Sequence, residues 1–316
     1  DPQRLADSEP LDPSRVDVSQ APAFAKDQQR TWFVRFEGRG VADLRRSTPS
    51  ARLQQRSTIR GRATDAVTTA RTRDARASRL FVLTNSVPGV GVRTTPAGAK
   101  ALEQRRDVVS VTPVVPRTTS NANAAVLERA VNAWRRANGL GEGVKVGIID
   151  TGIDYTHATF GGPGTSESYD REDPTAADWR SRLPRLGKAK IRGGYDFAGD
   201  DYNADPTSED YQPSPSPDPN PLDYNGHGSH VAGTAAGYGV TEAGKPFTGD
   251  YSTLNASALQ QMKVGPGMAP AAQLYGLKVF GTEGSTDLVL PALDWALDPN
   301  GDGDFSDRLD IVNMSL

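Results

Sequence analysis

Apolar positions in the first third of the chain change period several times. Trp32, Val34 and Phe36 alternate with Thr31, Phe33 and Arg35, which predicts a half-buried strand over 31–36. From Arg52 to Ala77 the chain is polar and rich in Arg and Ala. Ile59, Ala63, Ala66, Val67 and Ala70 fall on one face there, predicting a helix. Arg79–Leu83 is a second strand, and Asn85-Ser-Val-Pro-Gly89 turns it into a third at Val90–Arg93. Pro96–Arg105 is a short helix with Thr95 placed to cap it, and Val108–Val115 is a last strand closed by Pro116. The order is β-α-β-β-α-β.

That order is the split βαβ pattern of a ferredoxin-like α+β unit, assigned to residues 30–117. Residues 1–29 are Pro-, Asp-, Ser- and Gln-rich without periodicity and form an expected flexible extension. A polar link at Arg117–Asn123 leads to an amphipathic helix over 124–137, with Leu127, Ala130, Val131 and Trp134 on one side. Strands then alternate with helices: strand 144–150, helix 226–237, strand 273–280, helix 286–297 and strand 311–316. This alternation predicts an α/β parallel sheet with flanking helices over 118–316. Between Gly161 and Asn225 lies an Asp-, Pro- and Gly-dense segment expected to be surface loop. The final strand stops at Leu316 in mid-core, which predicts a chain continuing beyond it.

Composition changes this picture in one respect. The 316 residues are 36% hydrophobic, enough for a sizeable core, and the formal net charge is only −3. Residues 1–120, however, carry 19 Arg and 2 Lys against 12 acids, a net of +9, and residues 121–316 a net of −12. A basic piece is joined to an acidic one. The overall charge argues against nucleic acid as a partner, and no apolar run is long enough for a membrane span. The absence of cysteine excludes disulfides, zinc–thiolate sites and thiol nucleophiles.

Two clusters carry candidate chemistry. Asp150 ends a buried strand and opens Asp150-Thr-Gly-Ile-Asp154. Carboxyl ends of parallel strands form ligand crevices, so Asp150 is a functional candidate, with a turn-capping role as the alternative. His227 opens Gly226-His-Gly-Ser-His-Val-Ala-Gly233, a helix of small residues able to lie close to a sheet. His230, one turn on, could pair with it for metal, but no Glu stands nearby as a hydrolytic zinc site would require.

Together these clusters resemble the subtilisin-like (S8) serine proteases. The matching stretches are Val146–Asp154, Gly226–Gly233, Gly267–Val279 and Ile311–Leu316, in the family's order of acid before histidine. The resemblance implies a serine endopeptidase acting on proteins and peptides. Asp150 would orient the imidazole and His227 would be general base and then acid, with His230 structural. It implies a substrate strand held between Gly284-Ser285-Thr286 and Ser315-Leu316. The nucleophilic Ser and the oxyanion Asn have no counterpart within residues 1–316, so this stretch alone is expected to be inactive. The basic unit resembles the family's inhibitory (I9-type) propeptide, bound intramolecularly with its tail near Val114–Ser120 in the cleft and cleavage between 117 and 123. A secreted location is implied too, with any signal peptide outside residues 1–316. The rival is a non-catalytic inhibitory, chaperone or binding fragment with a degenerate protease half.

A third signal is Asp298-Pro-Asn300-Gly-Asp302-Gly-Asp304. Its alternating oxygen side chains and Gly303 match the first half of an EF-type calcium loop, making Asp298, Asn300, Asp302 and Asp304 candidate ligands for structural Ca2+. The twelfth position is Leu309 rather than Glu, and Asp307 or Asp310 is the candidate for the missing carboxylate. No organic cofactor is expected. A weaker candidate is the Asp200, Asp201 and Asp205 group.

Overall fold

The computed structural model describes residues 28–116, 134, 139–183 and 190–316. The extension 1–27 and most of the helix expected over 124–137 lie outside them. The described chain builds two four-stranded sheets.

The first sheet is antiparallel, ordered β2-β3-β1-β4, from β1 (Arg30–Phe36), β2 (Ser78–Leu83), β3 (Gly89–Thr94) and β4 (Val108–Pro113). Helices α1 (Pro49–Arg71) and α2 (Pro96–Glu103) join them in the β-α-β-β-α-β order expected. Thr48 and Thr95 each cap a helix, accepting from Ala51 N and Gly98 N, with Pro at the first helical position of both. The apolar face of α1 is buried as its spacing predicted: Ile59, Ala63, Ala66, Val67 and Ala70 pack on Val34, Phe36, Val90 and Val92. Helix α1 ends at Arg71, short of Ala77, because the Asp74 carboxylate turns the chain. It accepts from Arg76 N, Thr95 N, Thr94 Oγ1 and Gln29 Nε2. These bonds outweigh burial and hold its pKa below the usual carboxylate range.

The second sheet is parallel, ordered β6-β7-β5-β8, from β5 (Lys145–Asp150), β6 (Ile191–Asp196), β7 (Gln273–Lys278) and β8 (Ile311–Met314). Its helices are α3 (Ser166–Asp170), α4 (His227–Ala236), α5 (Ala256–Gln260) and α6 (Val289–Trp295). Among the described residues no helix is long and apolar enough to cross a membrane.

Strand β6 corrects the expectation that 161–225 is surface loop. Only Ile191 and Tyr195 are large and apolar in it, and Gly193 and Gly194 give no strand signal. Those glycines are needed for close approach: a Cβ on Gly194 would lie 2.3 Å from Gly276 O of β7. The rest of the segment is anchored inward as well. Trp179 stacks on Tyr155 at 5.1 Å and donates to Pro219 O, and Tyr202 and Asn220 are buried. Polar-looking sequence is buried here because its donors find backbone acceptors.

Part of the outer face of the antiparallel sheet is covered by the second unit. Phe81 and Leu83 join Leu288, Ala292 and Ala296, on and beside α6, in one apolar cluster that also holds Ile149 and Leu277 of the parallel sheet. At its edge the buried Asp294 of α6 accepts from the backbone N–H groups of Thr84, Asn85 and Ser86 and from the Ser86 hydroxyl. The two sheets are thereby fastened across one helix.

Candidate active site

Strand β5 ends on Asp150, which is fully buried, level with Lys278 in the adjacent strand. Helix α4 begins at His227, preceded by Gly226 in the left-handed region at φ +96°, where a side chain would be strained. Gly228 lies so near the strand end that a Cβ there would sit 2.2 Å from Gly152 O. The small residues of the motif thus let the helix start rest against the end of β5. His227 Nδ1 lies 2.8 Å from Asp150 Oδ1, and Thr151 N donates to the same oxygen at 2.7 Å. Burial pushes the Asp150 carboxyl above its usual range, opposed by the His227 and Thr151 hydrogen bonds. Its other oxygen, Oδ2, is buried without a hydrogen-bond partner.

A carboxylate absent from the sequence-derived set holds this junction together. Asp223 Oδ1 accepts from Thr151 Oγ1, Asn225 N and Gly226 N, and Asp223 Oδ2 accepts from Ser229 N and Ser229 Oγ. Thr151 Oγ1 in turn accepts from Gly228 N, and Ser229 Oγ from Asp154 N. Asp223 therefore ties the end of β5 to the first turn of α4. The only sequence signal for it was an Asp four residues before His227, which no periodicity picks out.

The expected substrate edges converge less completely. Thr286 and Leu316 line a cavity of about 580 Å³ together with Met314 and with Thr112–Val115, the tail of β4. Val114 N is bound to Thr31 O. Ser285 is buried, with its N–H on Asn203 Oδ1 and its carbonyl accepting from Ala204 N, so its backbone faces the 203–204 segment. Gly284 adopts φ +98° and packs on the Asn203 side chain, and Ser315 Oγ is turned to Asn313 Oδ1. His230 is exposed. It lines a separate cavity of about 820 Å³ with His157, Asp154, Tyr169, Asp223 and Tyr224, which neither Asp150 nor His227 touches.

A family model described as the subtilase family matches residues 141–316, more than half of the chain. The chain belongs to the subtilase family. Similar proteins include the subtilisin-like protease SBT4.15 of Arabidopsis thaliana, 26% identical over 244 residues covering 77% of this chain and 28% of that protein. An intracellular serine protease of Paenibacillus polymyxa is 29% identical over 190 residues, 60% of this chain and 36% of its own length. The minor extracellular protease Vpr of Bacillus subtilis (strain 168) is 28% identical over 178 residues, 56% of this chain and 14% of that protein. This subtilase chain therefore spans well under half the length of each of these relatives.

The calcium ligands expected from spacing are not gathered around a common point. Among the described residues no three His, Asp or Glu side chains are grouped to hold a metal ion. Asp298 Oδ2 is bound by Arg56 Nη2 at 2.6 Å and Gly303 N at 3.0 Å. Asn300, Asp302 and Asp304 instead accept from N–H groups two residues on. Local turns and a guanidinium have taken the oxygens that the spacing assigned to an ion. The Asp200 group is likewise diverted: Asp200 pairs with Lys278, whose ammonium also meets Asp196 at 2.9 Å.

Proposed function

We propose that this subtilase is a serine endopeptidase precursor that hydrolyses peptide bonds in proteins, with Asp150 and His227 as two members of an Asp-His-Ser triad. The observation that carries the reading is the 2.8 Å contact between His227 Nδ1 and the buried Asp150. With Nδ1–H donated to a carboxylate, the lone pair sits on Nε2. That nitrogen then takes the proton of an attacking hydroxyl and later returns it to the leaving amine. Asp150 balances the imidazolium charge formed on the way. The serine has no counterpart in residues 1–316, so peptide hydrolysis requires sequence beyond them. The experiment is expression of a chain extended past Leu316, assayed on a denatured protein substrate. Hydrolysis that falls by about 10⁴-fold or more in His227→Ala supports the reading. An extended chain without hydrolysis would leave the binding-fragment alternative.

Residues 30–117 form, in the same proposal, an inhibitory propeptide of a secreted enzyme, followed by the first part of a catalytic domain at 118–316. Support comes from the Thr112–Val115 tail beside Thr286 and Leu316, and from the backbone of residues 84–86 fastened to Asp294. An excess of this segment supplied to the active enzyme is expected to suppress hydrolysis. Unchanged turnover would count against the assignment. Secretion is checked by locating the protein in culture medium or cells.

A further inference from the structure

Asn203 belongs to the polar 161–225 stretch, yet it is only 5% exposed and lies against the segment that follows β7. Two main-chain bonds fix its place. Asn203 N donates to Gln212 O at 2.9 Å and Gln212 N to Asn203 O at 3.1 Å, closing the 203–212 loop. The side-chain Oδ1 accepts from Ser285 N at 3.2 Å and from Asp205 N at 2.9 Å. Ala204 N donates to Ser285 O, and Thr282 N donates to Asp200 O. Residues 200–204 therefore run along the back of 282–285.

The fit is close. A Cβ on Gly284 would sit 2.3 Å from Asn203 Cγ, and Gly284 holds φ +98°, so the carboxamide and the turn accommodate each other only as they stand. Asp287 N donates to the Tyr202 hydroxyl, bracketing the edge from the same side. Main-chain groups of neighbouring residues in an extended chain point to opposite sides. With the Ser285 N–H and carbonyl turned back on 203–204, Thr286 is turned the other way, where it lines the 580 Å³ cavity beside the Thr112–Val115 tail. The cleavage expected at 117–123 follows that tail. Residues before a scissile bond are therefore the ones this edge would hold.

We propose that Asn203 is a positioning residue for substrate: its carboxamide oxygen fixes the 284–286 edge from behind, and through it the residues on the N-terminal side of the scissile bond. This role rests on the endopeptidase reading above and adds to it a residue outside every motif of the sequence. Asn203 acts through the main chain of Ser285, without contact with the Asp150–His227 pair. Alanine at 203 leaves the Ser285 and Asp205 N–H groups without their acceptor and frees an edge that was preorganised for binding.

The experiment compares two chromogenic substrates in a chain extended past Leu316. One has four residues before the scissile bond; the other has a single residue and the same leaving group. Asn203→Ala is expected to lower kcat/KM about tenfold for the long substrate and to leave the short one within about twofold. Equal losses on both, as a damaged fold would give, or no loss on either, overturn the proposal. Asn203→Asp keeps an acceptor oxygen in place and should retain the parent's long-to-short ratio within about twofold. An N203D ratio about tenfold below the parent's overturns the proposal, and it decides the matter alone if N203A does not fold. A second readout needs no catalysis. In the 316-residue chain, N203A should speed amide exchange at Ser285 about tenfold and leave Leu277 of β7 unchanged. Ser285 exchange equal to the parent's overturns the proposal. An extended chain inactive on both substrates defeats the endopeptidase reading instead, and Ser285 exchange then still decides whether Asn203 holds the edge.

Discussion

At the scale of single residues, the site depends on how closely α4 can approach β5. Gly228→Ala puts a Cβ 2.2 Å from Gly152 O, where only backbone movement can make room. The expected cost is about 1–3 kcal/mol, read as a lower Tm, with the His227–Asp150 contact lengthened. Asp287 gives a pH dependence of definite sign. It is buried against Thr31 of β1, and burial pushes its carboxyl up to about 6, opposed by the Thr31 hydroxyl and the Arg93 charge. Well below its ordinary value of 3.8 the group is protonated in both folded and unfolded chains and carries no penalty. Stability then falls as pH rises toward about 6 and stays lower above it, by about 3 kcal/mol for a shift of about two units. Asp287→Asn is expected to flatten that slope and to raise the urea midpoint at pH 7.5 while leaving it little changed at pH 4. A slope unaffected by D287N would assign the pH response to other carboxyls, of which Asp150 shifts in the same direction.

At the scale of elements, α6 is the hinge between the two sheets. It offers Ala292, next to Leu288 at its N-terminal end, to the apolar cluster, and Asp294 to three backbone N–H groups at residues 84–86. Asp294→Ala leaves those donors without an acceptor, at an expected cost of about 2–3 kcal/mol. Hydrogen exchange should locate the damage at residues 84–86 before it appears in α1. The helices and strands with clear periodicity were legible from sequence because their burial follows it: the Ile59–Ala70 face of α1 is the example. Strand β6 was not legible. Its place is set by β7 running beside it and by glycines that tolerate Gly276 O, a relation between residues such as Gly194 and Gly276 that are 82 positions apart.

At the scale of the whole molecule, the described antiparallel and parallel units lie against each other. Arg56 with Asp298 is one buried ion pair across them. Opposite net charges, +12 over residues 30–117 and −12 over residues 118–316, favour encounter and orientation of the two units. Residues 30–117 supplied in trans to the remainder are therefore expected to bind more weakly, and chiefly more slowly, as salt is raised. Surface plasmon resonance at low and high salt reads this directly. An association rate independent of salt would assign docking to the Phe81–Leu288 cluster alone.

Asp150 and His227 could be picked from sequence because each is embedded in a local pattern: an acid at the end of an apolar strand, and a histidine opening a run of Gly and Ala. Local patterns also determined the β-α-β-β-α-β unit and the parallel α/β class, since strand and helix periods are properties of neighbouring residues. Only the tertiary structure decided which other groups serve the junction. Asp223 matters because it gathers five hydrogens, four from the adjacent 225–229 turn and one from Thr151, 72 residues before it, at the end of β5. The fate of Asp298 was decided in the same way. Its spacing suits an ion, but a guanidinium 242 residues earlier in the chain reaches it first. Spacing along a chain specifies which oxygens are on offer; the fold determines which positive group arrives to take them.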